Sequence, residues 1–280
     1  MQAQFKRKWN IIASESGGDG LDLSALRCSF IVDKKDTQTP NQAEFVLYNL
    51  SQDTAARLKK SFTNIIVNCG YEANFGLIFS GNIKGFEQSK EGTETLLKVT
   101  AGDGDKAYNY TVINKTLAAG ATPDSIISEA AGAMGVPMGY KSTVDTAALP
   151  RAKVLYGRPH EFIREQADNT ECTWSVQDGK ILFLKRTEVT PGTAVLLNSS
   201  TGLIGIPKVT EDGITGACLL NPKLKIGAPI KLESKYHSDI NGEYRIISIS
   251  HKGDTHGNDW YTEFKCLSLN QTGSEKVSKK

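Results

Sequence analysis

The sequence predicts a mainly β protein in which two strand-rich arms flank a small α+β module, and three observations carry that expectation. Apolar and polar residues alternate over short runs in the first and last thirds of the chain, the period a half-buried strand requires. Helical spacing is concentrated in one island, residues 122–184. Inside it, Asp178-Gly179 separates two apolar runs, the strongest short hairpin signal there is. The expected division is 1–117 for the first arm, 118–190 for the middle module, 191–271 for the second arm and 272–280 for a flexible tail.

In the first arm Leu26, Cys28, Phe30 and Val32 alternate strictly, and Ala43-Glu44-Phe45-Val46-Leu47-Tyr48 less strictly. The polar stretch 33–42 between them, with Pro40, suits a long hairpin loop. Ser51 then caps a short helix whose apolar face is Ala55, Leu58 and Phe62. Strands are expected again at 64–71, 77–86, 93–100 and 108–112, with glycine in most of the turns between them. One short helix interrupting five or six antiparallel strands predicts a small barrel or curled sheet.

The island opens at Thr122-Pro123-Asp124. Threonine caps, proline occupies the first helical position where no N–H is needed, and aspartate favours the positive end of the dipole. Ile126, Ile127, Ala130, Ala131 and Met134 recur on one face, and Gly135 is placed to close the helix in a left-handed conformation. Pro159 starts a second helix with Phe162, Ile163 and Ala167 on one stripe, followed by the hairpin. The polar connection 140–154, with Pro150, predicts an exposed loop.

Residues 186–208 are rich in Thr, Gly, Ser and Pro and predict a linker with one strand at 194–197. The second arm follows, with strands at 214–220, 229–234, 244–250 and 260–269, a tight turn at Asn241-Gly242 and a polar loop at 252–259. No internal repeat of fixed short period is visible, and the two arms share no obvious sequence identity.

A length of 280 residues predicts two or three domains and a sizeable core. With 39% hydrophobic and 23% charged residues the composition is that of a globular protein. A net charge of +2 excludes nucleic acid or an anionic membrane as a partner held mainly by charge. No run approaches the ~18 apolar residues of a membrane span, so no stable membrane insertion is expected. The basic start, residues 1–8, lacks a following apolar core, so no signal peptide is expected and synthesis is placed in a cytoplasm. The five cysteines (Cys28, Cys69, Cys172, Cys218, Cys266) have no paired spacing and mostly sit in apolar alternation, which predicts buried free thiols.

The catalytic patterns fail one by one. The histidines His160, His237, His251 and His256 include no H-E-x-x-H, and no G-x-S-x-G occurs. His251 and His256, with Asp254 and Asp259, could approach a metal in one hairpin loop, but a solvated turn is the favoured reading. Gly102-Asp103-Gly104-Asp105 resembles a calcium-loop fragment without the glutamate at the twelfth position, and is read as a strand-ending turn. Ser16-Gly17-Gly18-Asp19-Gly20 has no following Gly-Lys-Ser/Thr and no helix, so it cradles no phosphate. Tyr108, Tyr110 and Tyr140 could form a sugar platform, although core or interface packing is the commoner fate of such residues. No catalytic, cofactor-binding or metal residues are therefore expected, and no cofactor. That points to a structural or binding role.

Several of these stretches, taken in order, resemble one family. They are Ala43 to Ser51 followed by a short helix, Gly70-Tyr71, Ile78-Phe79-Ser80-Gly81-Asn82-Ile83, and Ala101-Gly102-Asp103-Gly104-Asp105. Then come Gly157-Arg158-Pro159-His160-Glu161-Phe162-Ile163 with the hairpin around Asp178-Gly179, Asn241-Gly242-Glu243-Tyr244-Arg245-Ile246, His251-Lys252-Gly253-Asp254 and Trp260-Tyr261-Thr262. The pattern is similar to the baseplate hub proteins of contractile-tailed bacteriophages, the group that includes late control protein D and the hub portion of type VI secretion spikes. The resemblance implies two tube-like β-barrel arms and a homotrimeric ring between the sixfold tail tube and the threefold central spike. It also implies a conduit that passes DNA without reading sequence, and contacts with tube, spike, tape measure and other baseplate proteins. The location implied is the virion tail baseplate, assembled in the host cytoplasm. The chain carries neither an appended lysozyme nor a spike β-helix, so wall hydrolysis is expected of another protein. The competing readings are a glycan- or peptidoglycan-binding tail-tip protein and a wall-degrading enzyme.

Overall fold

The computed structural model describes residues 5–15, 20–144, 147–211, 213–235 and 237–269. The expected tail 272–280 and most of the 16–20 turn lie outside them. The first arm runs β1 (Arg7–Ser14), β2 (Gly20–Asp22), β3 (Cys28–Lys35), β4 (Gln42–Tyr48), α1 (Gln52–Ser61), β5 (Asn64–Tyr71), β6 (Asn74–Glu91) and β7 (Glu94–Gly102). Burial alternates at every second position of β3, as its sequence requires. The Ser51 side chain accepts the Thr54 N–H and starts α1, whose Leu58 is buried in the arm's core with Phe45, Phe79 and Val99.

After β7 the structure departs from the expectation. A short helix, α2 (Asp105–Tyr110), replaces the strand at 108–112, and β8 (Ile113–Leu117) follows. The alternation Tyr-Asn-Tyr-Thr-Val fits a strand, but Asn109 donates to Asp105 one turn back at 3.1 Å and Tyr108 stacks on His160 at 4.0 Å. Tertiary packing decides the conformation.

The middle module contains α3 (Pro123–Met134), β9 (Met138–Lys141), β10 (Lys153–Gly157), α4 (Pro159–Asn169), β11 (Cys172–Gln177) and β12 (Lys180–Lys185). Thr122 and Ser125 form a reciprocal capping box, and Gly135 (φ 67°) closes α3 in the left-handed region. Asp178 and Gly179, both at positive φ, make the two-residue turn between β11 and β12. Residues 142–144 and 147–152 form the expected connection, but the ends of the stretch 140–154 are strand: β9 pairs in parallel with β12, and β10 pairs with β8. β8, inside the expected first arm, thus pairs with the middle module. Met134, Ile163, Trp174 and Phe183 share that module's main core.

The second arm contains β13 (Val195–Leu197), β14 (Leu203–Thr210), β15 (Gly213–Leu219), β16 (Pro229–Leu232), β17 (Gly242–Asp254) and β18 (Trp260–Ser268). The expected one-strand linker therefore carries two strands. The turn expected at Asn241-Gly242 is a 3-10 turn, Ser238–Ile240, with β17 starting at Gly242. The polar loop shrinks to residues 255–259, because β17 continues to Asp254, whose carboxylate accepts the His256 and Gly257 N–H groups.

The chain is mainly β, and its strand pairing shows what the sequence hid. In the first arm the pairing order is β3-β4-β7-β6-β5, and in the second it is β14-β15-β18-β17-β16. Both arms visit their five strands in the same chain order, and all these pairs are antiparallel. Against the third strand in this order, β7 or β18, the fourth strand of each breaks register once, after Ile83 in β6 and after Ile246 in β17; β6 shifts again against β5, at Ile78. The two units are joined because β17 also pairs with β3, so one open path of strands runs through both arms. Their cores interlock there: Trp260 of β18 packs edge-on to Phe30 at 5.5 Å in the first arm's core.

Candidate assembly surface

Register converts the alternation of these strands into one shared face. With β17 and β3 paired at Ser248↔Lys35, Ser250↔Asp33 and Lys252↔Ile31, residues whose neighbours fill the two cores alternate with residues that do not. The second set forms rows across the seam. One row is Thr215, Lys265, Ser248, Lys35; the next is Ala217, Glu263, Ser250, Asp33, Gln42; a third is Lys252, Ile31, Glu44, Thr100. The face continues through Lys98 and Glu87 of β7 and β6. Its charges nearly balance: Lys35, Lys98, Lys252 and Lys265 are matched by Asp33, Glu44, Glu87 and Glu263, with Lys208 of β14 beside Thr215 at the end of the first row. Lys252 meets Glu263 at 2.9 Å and Lys98 meets Glu44 at 2.8 Å. Hydrogen bonding to those carboxylates raises both ammonium groups. Such a face presents small polar groups and neutralised charge over two arms at once.

A buried polar junction holds the arms and the middle module in fixed relation. Asp36, just past β3, receives Arg245 of β17 and the Thr173 hydroxyl of β11, while Arg245 also donates to the carbonyls of Lys185 and Arg186. Burial pushes the Asp36 carboxyl up and the Arg245 guanidinium down, and their mutual attraction opposes both shifts. Nearby, Lys34 meets Asp178 at 2.5 Å. The fully buried Asp103 accepts the N–H groups of Asp178 and Gly179 at 2.5 and 2.8 Å, and burial raises it to about 6. The hairpin turn is thereby tied to the first arm. Asn41 completes the junction by donating to the Val176 carbonyl at 2.8 Å.

The residues singled out in the sequence are not brought together. His251 is buried in β17 against the Thr262 hydroxyl at 2.9 Å, with its pKa lowered to about 3 by burial. His256 lies at the loop, against Thr255, and Asp254 is engaged by Arg27. Among the described residues no group of three or more His, Cys, Asp or Glu is placed to hold a metal. Asp103, read as part of a turn, instead pins the distant hairpin, a role no local signal could reveal. Tyr108 stacks with His160 and with Trp174, Tyr140 packs against the second arm's core, and of the three only Tyr110 stands in solvent, so the three tyrosines form no shared platform. All five cysteines are free and buried, and burial pushes each thiol up.

Two exposed apolar groups went unnoticed in the sequence. Val154 and Tyr156 lie outward on the β8–β10 ribbon, and Tyr110 and Val112 are exposed just before β8. Ile204, Ile206 and Val209 lie on β14, the last strand of the open path.

Comparison with known proteins bears on this architecture. Several solved structures share the fold. A 43 kDa tail protein of prophage MuSo2 from Shewanella oneidensis matches with a TM-score of 0.66 at 9% identity, covering 94% of this chain and 97% of that one. A tail protein from Neisseria meningitidis MC58 matches at 0.65 and 9%, with the same coverage. The Escherichia coli c3393 protein, a component of the type VI secretion system with structural similarity to T4 tail proteins gp27 and gp5, matches at 0.61 and 11%, over 94% of this chain and 77% of that one. No curated protein matches by sequence. The model of the family described as baseplate hub gp41 matches residues 32–266, nearly the whole span of both arms and the module between them. The chain belongs to the baseplate hub gp41 family of phage tail structural proteins.

Proposed function

We propose that three copies of this chain form a ring at the distal end of a tail tube, joining the sixfold tube to a threefold central spike. The carrying observation is the five-strand unit repeated twice in one chain and fused through β17 and β3. Three chains then supply six like units, so a sixfold tube end meets its own symmetry while the chains keep the spike's. A cyclic ring of this kind repeats one heterologous contact until it closes. The nearly charge-balanced face faces the lumen: a strongly basic lining would hold DNA by its phosphates, and this lining lets it pass without reading it. The division into arms (1–117, 191–271) and middle module (118–190) assigns tube contact to the arms. Tape measure and other baseplate proteins complete the partners, with assembly in the host cytoplasm before incorporation into the virion.

The ring carries no catalytic activity in this reading, and clearing of bacterial cell walls by the purified chain in a turbidity assay would overturn that part. Imaging intact tail tips tests the ring itself. Three copies are expected, with first and second arms alternating around the tube end. A tube-facing ring built from the first arm alone, or from six copies, would overturn it.

A further inference from the structure

The repeat makes one contact inside the chain a template for a contact outside it. Inside, residues 248–254 of β17, the part beyond its register break, pair with β3 of the other arm. The counterpart in the first arm is the end of β6. Its residues 74–82 pair with β5, but residues 85–91 pair, among the described residues, only with β7 and leave their other backbone edge open. The counterpart of β3 is β14, which among the described residues pairs only with β15 and is likewise open on its far side.

The ladders fix which residues correspond. Gly85 lies opposite Thr100 and Ser248 opposite Lys265, each just past the break, so Gly85 matches Ser248 and Thr100 matches Lys265. Thr100 faces Glu44, which faces Ile31; Lys265 faces Thr215, which faces Lys208. Lys208 therefore matches Ile31, and Val209 matches Val32. Exposure sets the two sites apart. Val32, under the seam, is 0% exposed, whereas Val209 is 67% exposed, although the residue each faces on the next strand, Ala43 and Ile214, is buried in its arm's core. His251, which faces Val32, is buried, whereas its match Gln88 is exposed. The second arm's first edge and the first arm's fourth strand each lack the partner that the other two strands have.

We propose that these two open edges pair between neighbouring copies: residues 85–91 of β6 in one copy lie antiparallel to β14 of the next. The register follows from Lys252↔Ile31 and Ser250↔Asp33, and places Ser89 opposite Lys208 of the partner subunit and Glu87 opposite Thr210 of the partner subunit. Charge agrees, since Glu87 and Glu91 then flank Lys208 of the partner subunit diagonally. The register break between Ile204 and Lys208, with the buried Pro207 inside it, confines the paired backbone to the 208–210 end of β14. Two open edges, each a ready template for another strand, are thereby closed.

This rests on the trimer reading, and the test separates the two. Ser89→Cys with Lys208→Cys is carried into assembled tails, beside the intrachain equivalent Ile31→Cys with Lys252→Cys. Copy number per tail tip is counted by imaging, and oxidised tails are run without reductant. The expected result is three copies and a covalent ladder up to trimer for the first pair, against monomer bands for the second pair and for each single variant. The buried native thiols leave that background low. Glu87→Cys with Thr210→Cys reports the same register independently and covers failure of the first pair to assemble. Three copies without interchain links from either pair would overturn the seam and leave the ring standing. Any other copy number would overturn both.

Discussion

Val32 and Val209 hold matching places in the two arms, yet one is sealed and the other stands in solvent. Arg245 and its match Asn82 differ in the same sense. Arg245 spans to Asp36 and two carbonyls at the junction, while Asn82 only bonds Asn64 at 2.6 Å within its own arm. The second arm's fourth strand thus fastens the two arms together, and the first arm's fourth strand ends in a ribbon paired on one side. A repeated fold does not make repeated roles. What a strand touches beyond its own unit sets what its residues must do.

The largest expected effect tests that asymmetry at the register break. Ile246 is fully buried, and its match Ile83 is only partly so. Ile246→Asp places a carboxylate among Phe264, Cys266 and Ile249, which costs several kcal/mol, close to the whole margin of a domain. Phe264→Asp behaves alike. Soluble yield and circular dichroism should show loss of folding for these variants and a lowered but measurable melting temperature for Ile83→Asp. Equal effects at Ile83 and Ile246 would break the comparison.

Next comes the junction. Arg245→Ala strands Asp36 without its counter-charge in a buried site, at about 3–5 kcal/mol. Asn82→Ala removes one hydrogen bond, at about 1 kcal/mol. Denaturant unfolding measures both, and a smaller loss at Arg245 than at Asn82 would show that the junction does not fasten the arms.

How much of this the sequence disclosed depends on the distance over which each signal acts. Strand alternation is local, so β5 was placed to the residue and β4, β15 and β18 nearly so, while β3 runs on to Lys35, three residues into the stretch expected as a loop. Thr122, Gly135 and Asp178-Gly179 were read correctly because capping and turn chemistry need only a few neighbouring residues. The helix at Asp105–Tyr110 was misread because its partner, His160, lies some fifty residues away. The repeat was invisible because it resides in hydrogen-bond order, while matching positions hold His251 against Gln88 and Arg245 against Asn82. The polar face was illegible for the same reason: alternation gives each strand two faces, and only register says which face joins its neighbour's.

His251 offers a smaller, pH-dependent contrast. Its folded pKa, lowered to about 3, lies below the ordinary 6.5, so the unfolded chain binds the proton first. The stabilisation is fully present above pH 6.5 and is lost as pH falls toward 3, by about 1.4 kcal/mol per unit. The charged and titratable neighbours do not reverse this: Lys34 opposes protonation further, and Nδ1 faces only the Thr262 hydroxyl. Denaturation midpoints at pH 7.5 and 5.5 should diverge less in His251→Gln than in the wild type. Gln88→Ala, at the matching position, should leave the wild-type pH dependence intact.

The smallest effect carries the comparison to its end. Val32→Ala empties space under the seam, where a buried valine contributes about 1.5–3 kcal/mol, and the isolated chain should lose most of that in denaturant unfolding. Val209→Ala removes a side chain that already meets solvent, so the isolated chain should change by less than about 0.5 kcal/mol. If Val209 awaits the same cover that Val32 has, the loss must reappear on assembly. Tails built with Val209→Ala should then lose hub copies on dilution or mild denaturant sooner than wild-type tails, at unchanged melting temperature of the free chain. An isolated chain as sensitive at Val209 as at Val32 would mean that β14 is already covered within the molecule, and an assembly indifferent to Val209 would mean that nothing covers it afterwards.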